Sequence, residues 1–469
     1  MNRTKYLAKN TIIFAIGNLG SKLINFFLVP LFTNALTTQE YGITDLIFTI
    51  CSIAVPIIFF NVNEAVMRYS IDEDADLNKI MSVGILVSLL SFMIAIPLFG
   101  VSWIYPILLQ YHKYIYIYTI AHGICEINIS YLRGKECLKA FAIGSILRTF
   151  LIAVFNILFL VVFQYGIEGY LMAFILSNIL TGIYAFVAGN VIDVLKHYSF
   201  DKELFKRMVR YSLPLIPNSF MWWIIDSSNR IMITSMISVS ASGIYAVASK
   251  IAGLVSFIST IFNQAYSYSA IHENNSEDRE DFNNKIMDML FLLITVIGLF
   301  VLTIIKPFMK IYVGSQFVEA WIYAPPLIIG TCILVMATFF SVFYKVNKDS
   351  NGFLKSGILG AIINIILNFS LIPIWGVIGA AISTCITYVA IFIFRYFDTK
   401  KYIQLEVFNL RHIISFLILI SAGIAVYISV IIQIIVFAVS LLFICILYKN
   451  CIQLFVIKSL GLITSFFKK

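Results

Sequence analysis

The sequence predicts an all-α polytopic membrane protein with about 14 transmembrane helices, arranged as two six-helix lobes and two further C-terminal helices. Of the 469 residues, 60% are apolar and only 12% are charged, and the mean hydropathy is +0.94. Soluble domains are about 45–50% apolar and about 25% charged, so this chain has too few polar residues to cover a surface that faces water. Apolar stretches run for about 20 residues without alternation, as at 287–305, which favours membrane-spanning helices over barrel strands.

Breaks formed by charged or turn-forming residues divide the chain into fourteen predicted spans. The last two are separated only by a weak break near Gln433. The predicted spans are 10–32, 42–62, 80–101, 113–132, 141–163, 169–190, 211–236, 243–263, 286–305, 321–344, 355–374, 377–397, 411–431 and 433–448. An even number of spans predicts that both ends of the chain lie on the same side of the membrane.

The lysine and arginine residues orient these spans. If the N-terminus is cytoplasmic, 26 of the 33 cations lie in cytoplasmic segments and only Lys113, Lys306 and Lys310 lie outside. Because cytoplasmic loops carry an excess of Lys and Arg, both termini are predicted to be cytoplasmic. The net charge of +9 follows largely from this orientation, so it does not call for a nucleic acid as a partner, although it suits an anionic lipid surface.

Three sequence markers recur about 200 residues apart and predict an internal duplication. EYGIT, with Gly42, recurs as ASGIY, with Gly243; DLNKIMS at Asp76 recurs as DFNNKIMD at Asp281; and GIEG at 166–169 recurs as GVIG at 376–379. The offsets are 201, about 206 and 210, a slow drift typical of loop insertions.

The duplication defines the predicted domains. They are an N-terminal lobe at 1–190, a cytoplasmic link at 191–210, a C-terminal lobe at 211–400, and two extra spans with a cytoplasmic tail at 401–469. Because each lobe has an even number of spans, the lobes are predicted to be parallel repeats. Transporters built in this way bind their substrate between the repeats and alternate its access by rocking them.

Polar side chains inside the spans are the candidates for a substrate cleft, because an ionisable group in a bilayer costs at least about 2.5–3.5 kcal/mol. The offset of 201 aligns Asn25, on a polar face of the first span, with Asp226 in span 211–236. The predicted cleft residues are Lys22, Asn25, Arg148, Asp226, Arg230 and Lys250. Four of the six are cations, which favours an anionic substrate. The alternative is that they form internal ion pairs, such as Asp226 with Arg230 four residues later.

A second group of residues is predicted to couple transport to protons or another ion. It comprises Glu126, His122 one helical turn before it, and Asp226, and the prediction depends only on their depth in the spans. The five histidines are scattered without metal-ligand spacing, so no metal site is predicted. The motif G-x-x-x-x-G-K-[ST] does not occur, so neither a cofactor nor direct use of ATP is predicted.

Two stretches of the sequence resemble a known family. NTIIFAIGNLGSKLINFFLVPLFTNALTTQEYG at 10–42, with NVNEAVMRY at 61–69, is similar to the start of bacterial Wzx-type polysaccharide-export flippases. NGFLKSGILGAIINIILNFSLIPIWGVIGAAIST at 351–384 is similar to their second lobe. These flippases belong to the multidrug/oligosaccharidyl-lipid/polysaccharide (MOP) exporter superfamily.

The resemblance implies a two-lobed, V-shaped fold of MATE-like type in the bacterial inner (plasma) membrane. It implies movement of an undecaprenyl-pyrophosphate-linked oligosaccharide from the cytoplasmic to the outer leaflet, for O-antigen (lipopolysaccharide) or capsule synthesis. The implied partners are this lipid-linked oligosaccharide, the lipid bilayer, a polysaccharide polymerase and a chain-length regulator.

Two transporter alternatives stay open at this point, whereas an enzyme and a scaffold with no transport are disfavoured, the scaffold because it leaves the charges inside the spans unexplained. A membrane glycosyltransferase or polymerase is disfavoured, because the short outer connections carry only Glu40, Glu168 and Glu319 and no DxD-like pair; the chain is therefore predicted not to be an enzyme. A drug/cation antiporter of the MOP superfamily would favour carboxylates over cations in its cleft. A flippase for lipid II or a teichuronic acid precursor would share the preference for an anionic cargo.

Overall fold

The computed structural model of the chain describes residues 24, 26–72, 74–100, 104–272, 278–347, 349–449 and 453, without the side chains of 257–261, 263–265, 267–269, 271 and 272. All the regular elements of these residues are helices. In chain order they are α1 (Phe26–Ala35), α2 (Thr38–Ile58), α3 (Val62–Ser70), α4 (Leu77–Ile94), α5 (His112–Gly134), α6 (Leu138–Asn156), α7 (Gly166–Ala188), α8 (Val191–Lys196), α9 (Lys202–Ser212), α10 (Leu215–Met236), α11 (Val239–His272), α12 (Arg279–Tyr312), α13 (Ala324–Val346), α14 (Ser350–Trp375), α15 (Val377–Thr399), α16 (Leu410–Ile428) and α17 (Val430–Leu447). A π-helical turn at Ile157–Val162 extends α6.

The helices confirm an all-α membrane protein. Among the described residues, 11 helical spans are long and apolar enough to cross a bilayer. Every predicted span from 42–62 onward overlaps at least one helix, whereas most of 10–32 lies outside the described residues. The helices α5 and α10, which overlap the predicted spans 113–132 and 211–236, are not among the 11; they carry three and two Asp, Glu, Lys or Arg residues, respectively. The count of fourteen therefore stays a prediction.

The break between the last two helices lies at Ser429, four residues before the predicted position near Gln433. Ser429 has an extended backbone, and its hydroxyl accepts a hydrogen bond from the N–H of Ile432 at 3.2 Å, so it caps the start of α17. Gln433 is instead buried in the first turn of α17. A polar side chain does not mark a loop where it has hydrogen-bond partners inside the membrane.

Gln433 binds α12 at the place where a proline interrupts the backbone hydrogen bonds of that helix. Pro307 lies inside α12 and has no N–H, so the carbonyl of Thr303, four residues earlier, lacks its usual helical donor. The side-chain amide of Gln433 donates to the Thr303 carbonyl at 2.8 Å and to the Leu302 carbonyl at 2.7 Å. A side chain of α17 thus satisfies a backbone group that α12 cannot satisfy by itself.

The chain divides into two compact units. The first contains the described residues of Met1–Ala246 and Val313–Phe317, and the second contains those of Val247–Tyr312 and Val318–Lys469. The lobes predicted at 1–190 and 211–400, the link at 191–210 and the C-terminal segment at 401–469 stay predictions.

In the first unit, the short helix α3 packs against α4, α5 and α9 around a buried apolar core. Val62, Ala65 and Val66 of α3 are fully buried there. Phe59, which precedes α3, lies directly over Gly123 of α5, where a β-carbon would come within 2.1 Å of the phenyl ring. This packing fixes the position of α5, the helix that carries Glu126.

In the second unit, α13 lies at the centre and is more buried than any other candidate span of the described residues. It packs against α15, α12 and α16. Its residues Phe339, Phe340 and Phe343 are almost completely buried, and Phe340 meets Phe392 of α15 edge to face at 5.8 Å between ring centroids. These contacts attach α15, and with it α14, to the centre of the unit.

Two of the three repeated sequence markers have matching structures. Gly166 begins α7 and Gly376 directly precedes α15, and their φ angles are +55° and +62°, a conformation that residues with a β-carbon rarely adopt. At the other marker, a β-carbon on Gly42 would lie 2.1 Å from the carbonyl oxygen of Val239, and one on Gly243 would lie 2.3 Å from that of Thr38. The repeated glycines therefore serve the same two purposes in each half of the sequence, as expected for a duplication.

Replacing Gln433 by leucine is expected to destabilise the protein by about 0.6–2 kcal/mol, the range for interhelical hydrogen bonds in membranes, because the Thr303 carbonyl loses its donor. The same substitution should cost much less in a Pro307→Ala background, where α12 regains its own N–H. Thermal unfolding of the four purified proteins in detergent measures this coupling. Ile434→Val, at the exposed neighbouring position, is the control, and an equal loss in both backgrounds would contradict the explanation.

Candidate functional site

Glu126 and Arg148 form an ion pair that joins α5 to α6. The Nη1 atom of Arg148 donates to Oε1 of Glu126 at 2.5 Å, and the side chains of Arg148 and Glu126 are 32% and 29% exposed. Both residues lie well inside helices that overlap predicted spans. Because a lone charge at such a depth is costly and a close partner offsets much of that cost, Arg148 is a compensated cation.

His122 connects this ion pair to α7. Its Nδ1 atom lies 3.1 Å from Oδ1 of Asn178 on α7 and 4.0 Å from Oε1 of Glu126, one turn further along α5. The imidazole also stacks on Tyr118, with ring centroids 5.5 Å apart and planes at 5°. Three helices of the first unit therefore meet in one polar cluster, the α5–α7 cluster, which consists of His122, Glu126, Arg148 and Asn178.

Arg230 of α10 forms its salt bridge with Asp45 of α2, whereas Asp226, one turn before it on the same helix, is a weaker electrostatic neighbour. The Nε atom of Arg230 lies 2.8 Å from Oδ2 of Asp45, and the two side chains are only 17% and 12% exposed. These two atoms make no aligned hydrogen bond, so the pair is held by attraction between the charges. The ion pair thus connects two helices, where the sequence pattern suggested a pair within one.

Further hydrogen bonds hold α10 in place around Arg230. The indole Nε1 of Trp223 donates to the carbonyl of Thr49 and to the hydroxyl of Ser52, both at 3.0 Å, which attaches α10 to α2. The amide of Asn229 donates to the hydroxyl of Tyr245 on α11 at 2.9 Å. The guanidinium of Arg230 is therefore positioned by neighbours on both sides of its helix.

Packed aromatic rings connect the two ion pairs within the first unit. Phe48 lies one turn after Asp45 on α2, and its ring centroid is 4.9 Å from that of Tyr118, which lies one turn before His122 on α5. Phe48 also contacts Phe174 of α7, with centroids 4.7 Å apart. The Asp45–Arg230 pair and the α5–α7 cluster therefore share one packed framework.

The remaining predicted residues do not form a described site. Lys22 and Asn25 lie outside the described residues. Asp226, on α10, and Lys250, on α11, have exposed side chains. Among the described residues, no group of three or more His, Cys, Asp or Glu side chains could hold a metal ion. The roles of these residues in a cleft or in ion coupling stay predictions.

Sequence reasoning missed three residues. Asp45 lies near the start of span 42–62, and a search of the spans for every carboxylate would have found it. Asn178 shows no signal in the sequence beyond being an amide in an apolar span. Arg395, one of the 26 cations assigned to the cytoplasmic side, is fully buried, and its guanidinium donates to the Ser356 hydroxyl and the Ala337 carbonyl, both at 3.1 Å.

Comparison with known proteins supports the resemblance seen in the sequence. The family described as "Polysaccharide biosynthesis protein" matches residues 7–268. A protein of the Lsg locus of Haemophilus influenzae is 24% identical over 387 residues, which are 79% of this chain and 94% of that protein.

Two solved structures have a similar fold. The lipid II flippase MurJ in an inward closed conformation has a TM-score of 0.61 at 16% identity, covering 94% of this chain and 100% of its own. An inward-facing multidrug resistance MATE transporter of the MOP superfamily has a TM-score of 0.65 at 13% identity, covering 82% and 94%. The MOP-type fold is thereby confirmed.

Removing one partner of the Glu126–Arg148 pair is expected to cost about 3–5 kcal/mol of stability, because the other charge is left without its partner inside the membrane. The double variant Glu126→Gln/Arg148→Gln should be more stable than the sum of the two single losses predicts, with a coupling of about 1–3 kcal/mol. Thermal unfolding in detergent measures the cycle. Lys113→Gln, at the exposed start of α5, is the control, and strictly additive losses would contradict the pairing.

Proposed function

Because the chain belongs to the polysaccharide biosynthesis protein family and has the fold of the MOP-superfamily transporters, we propose that it is a flippase for an undecaprenyl-pyrophosphate-linked oligosaccharide. It carries this lipid from the cytoplasmic to the outer leaflet of the bacterial plasma membrane, with both of its termini in the cytoplasm. Its product serves the synthesis of a surface polysaccharide, either O-antigen or capsule. A polysaccharide polymerase and a chain-length regulator are the proposed partners, and neither nucleic acid nor ATP takes part.

The observation that carries the proposal is the presence of two arginines deep among the helices of the first unit, each held by one carboxylate. Arg148 is paired with Glu126 and Arg230 with Asp45. A planar guanidinium binds the oxygens of a phosphate group as well as those of a carboxylate. A diphosphate can therefore take the place of the carboxylate beside the arginine, so that the cation has a partner before, during and after the exchange.

This exchange suits a cargo that must leave water. The diphosphate needs concentrated positive charge once it enters the membrane, while an arginine without a counterion would be costly there. In the resting protein the paired carboxylate serves as the counterion of the arginine. Lys22 and Lys250, the other predicted cleft cations, would add to the positive charge along the path.

Arg148→Ala and Arg230→Ala are each expected to lower polysaccharide export about 30-fold or more, the factor that corresponds to about 2 kcal/mol for a lost buried charge contact. Surface polysaccharide is measured in a host that lacks its own flippase, with the protein level in the membrane determined for each variant. Lys22→Ala is predicted to behave in the same way, whereas Lys306→Ala, on the predicted outer face, is the control. Wild-type export by both arginine variants would contradict the proposal.

Ion coupling is the second part of the proposal, and it involves Glu126, His122 and Asp226. A proton on Glu126 would cancel its charge and weaken its hold on Arg148, so that proton uptake would free the arginine for an anionic ligand. Coupling of this kind predicts that the flipping rate in proteoliposomes depends on a pH gradient and that Glu126→Gln and Asp226→Asn reduce this dependence. If the flipping rate does not change with the gradient in the wild type and in both variants, the proposed ion coupling is contradicted. The proposed identity of the cargo is not affected by that result.

A drug/cation antiporter is the second candidate function, and one observation favours it. The two described ion pairs contribute two carboxylates as well as two guanidinium groups, and a cationic drug would bind Asp45 or Glu126 in place of the arginine. The same export assay separates the two, because an antiporter would protect cells from a cationic dye and would not restore polysaccharide. A lipid II or teichuronic precursor would share the diphosphate chemistry and would differ only in the sugar that the assay detects.

A further inference from the structure

The segment 191–212 presents apolar and basic side chains next to one another on the surface of the first unit. Ile192, Leu195, Tyr198 and Phe200 are each between 44% and 47% exposed. They belong to α8 and to the connection that leads to α9, outside all the candidate membrane spans of the described residues. Side chains of this size are expected to be covered when a stretch is neither buried in a core nor part of a spanning helix.

The segment is firmly attached to the rest of the first unit, so the exposed side chains have a fixed position. Leu204 and Met208 of α9 are buried in the same core as α3 and α4. The N–H of Ser199 donates to the hydroxyl of Ser82 at 3.3 Å, and the Tyr69 hydroxyl donates to the carbonyl of Arg207 at 3.4 Å. The apolar stripe of α9 thus faces the core of the first unit, and the opposite side of the helix is exposed.

Five exposed cations lie in this segment: Lys196 on α8, and Lys202, Lys206, Arg207 and Arg210 on α9. Within the part of the chain that the structure describes, none of the five forms a salt bridge; those described are between other residues.

The nearby carboxylates are largely occupied elsewhere. Asp193 pairs with His197 at 3.4 Å. Asp201 caps α9 by accepting from the N–H groups of Glu203 and Leu204 at 3.0 and 3.1 Å, and these donors, chiefly that of Leu204, lower the pKa of Asp201. Glu203 is the one other carboxylate of the segment. Apart from Arg207, whose charge also acts on Asp201, these cations are left to attract an anionic partner.

We propose that this surface, the basic interfacial surface formed by residues 192–210, binds anionic phospholipids of the adjacent leaflet. The four apolar side chains would enter the boundary between headgroups and acyl chains, and the lysines would meet the lipid phosphates. Apolar groups beside unpaired cations are the combination that an anionic membrane surface recognises. The inference does not depend on the identity of the transported substrate.

Photocrosslinking in nanodiscs tests the proposal on the full-length protein. A photoactivatable phosphatidylglycerol is expected to label peptides of 191–212 more strongly than the matching phosphatidylcholine. Because each cation near a membrane surface contributes about a factor of five, Lys196→Gln/Lys202→Gln/Lys206→Gln should lower the labelling of this segment at least about tenfold. The control is Lys345→Gln/Lys355→Gln/Lys449→Gln, which removes three exposed cations from the second unit and should leave the labelling unchanged.

A second variant separates the apolar from the basic contribution. Leu195→Ser/Phe200→Ser is expected to reduce labelling by both lipids, and thermal unfolding in detergent shows whether each variant is folded. The proposal is overturned if phosphatidylcholine labels the segment as strongly as phosphatidylglycerol, if the triple lysine variant is labelled like the wild type, or if neither lipid labels the segment at all.

Discussion

Inside a bilayer, each charge and each unpaired backbone group must find its partner within the protein, because neither lipid tails nor water supply one. In this chain the contacts that meet that requirement also join helices. Glu126 and Arg148 connect α5 to α6, Asp45 and Arg230 connect α2 to α10, and Gln433 connects α17 to α12. The polar side chains that an apolar sequence can least accommodate are therefore the ones that specify which helices lie together.

The same pairing creates a conflict between stability and transport. An arginine that is fully satisfied by a carboxylate holds two helices together, yet it can bind an anionic cargo only after that contact loosens. About a third of each side chain of Arg148 and Glu126 is exposed. This partial exposure is a compromise between holding two helices together and leaving the arginine accessible to a cargo. The Asp45–Arg230 pair is more enclosed, which raises the cost of separating its charges, and its two closest atoms make no aligned hydrogen bond.

The class of the protein and the positions of its helices could be predicted because they follow from long apolar stretches, which tertiary contacts do not alter. That Arg148, Glu126 and Arg230 lie within helices could be predicted for the same reason. Their partners could not be predicted: the i,i+4 rule pointed Arg230 to Asp226, whereas its salt-bridge partner, Asp45, lies on a helix that is distant in sequence. Hydropathy also cannot show that another helix offers a hydrogen-bond partner, so neither the contact of Gln433 with α12 nor the contacts of Arg395 with Ser356 and Ala337 could be predicted.

The contact between Gln433 and the backbone next to Pro307 also limits how this part of the sequence can change over time. If the proline arises first, the protein has a backbone carbonyl in the membrane without a hydrogen-bond donor. If the glutamine arises first, its side-chain amide lacks the free carbonyl of Thr303 as an acceptor. Neither step is neutral by itself, and once both are present each resists being lost. The two positions should therefore change together among related chains, although 126 residues separate them in the sequence.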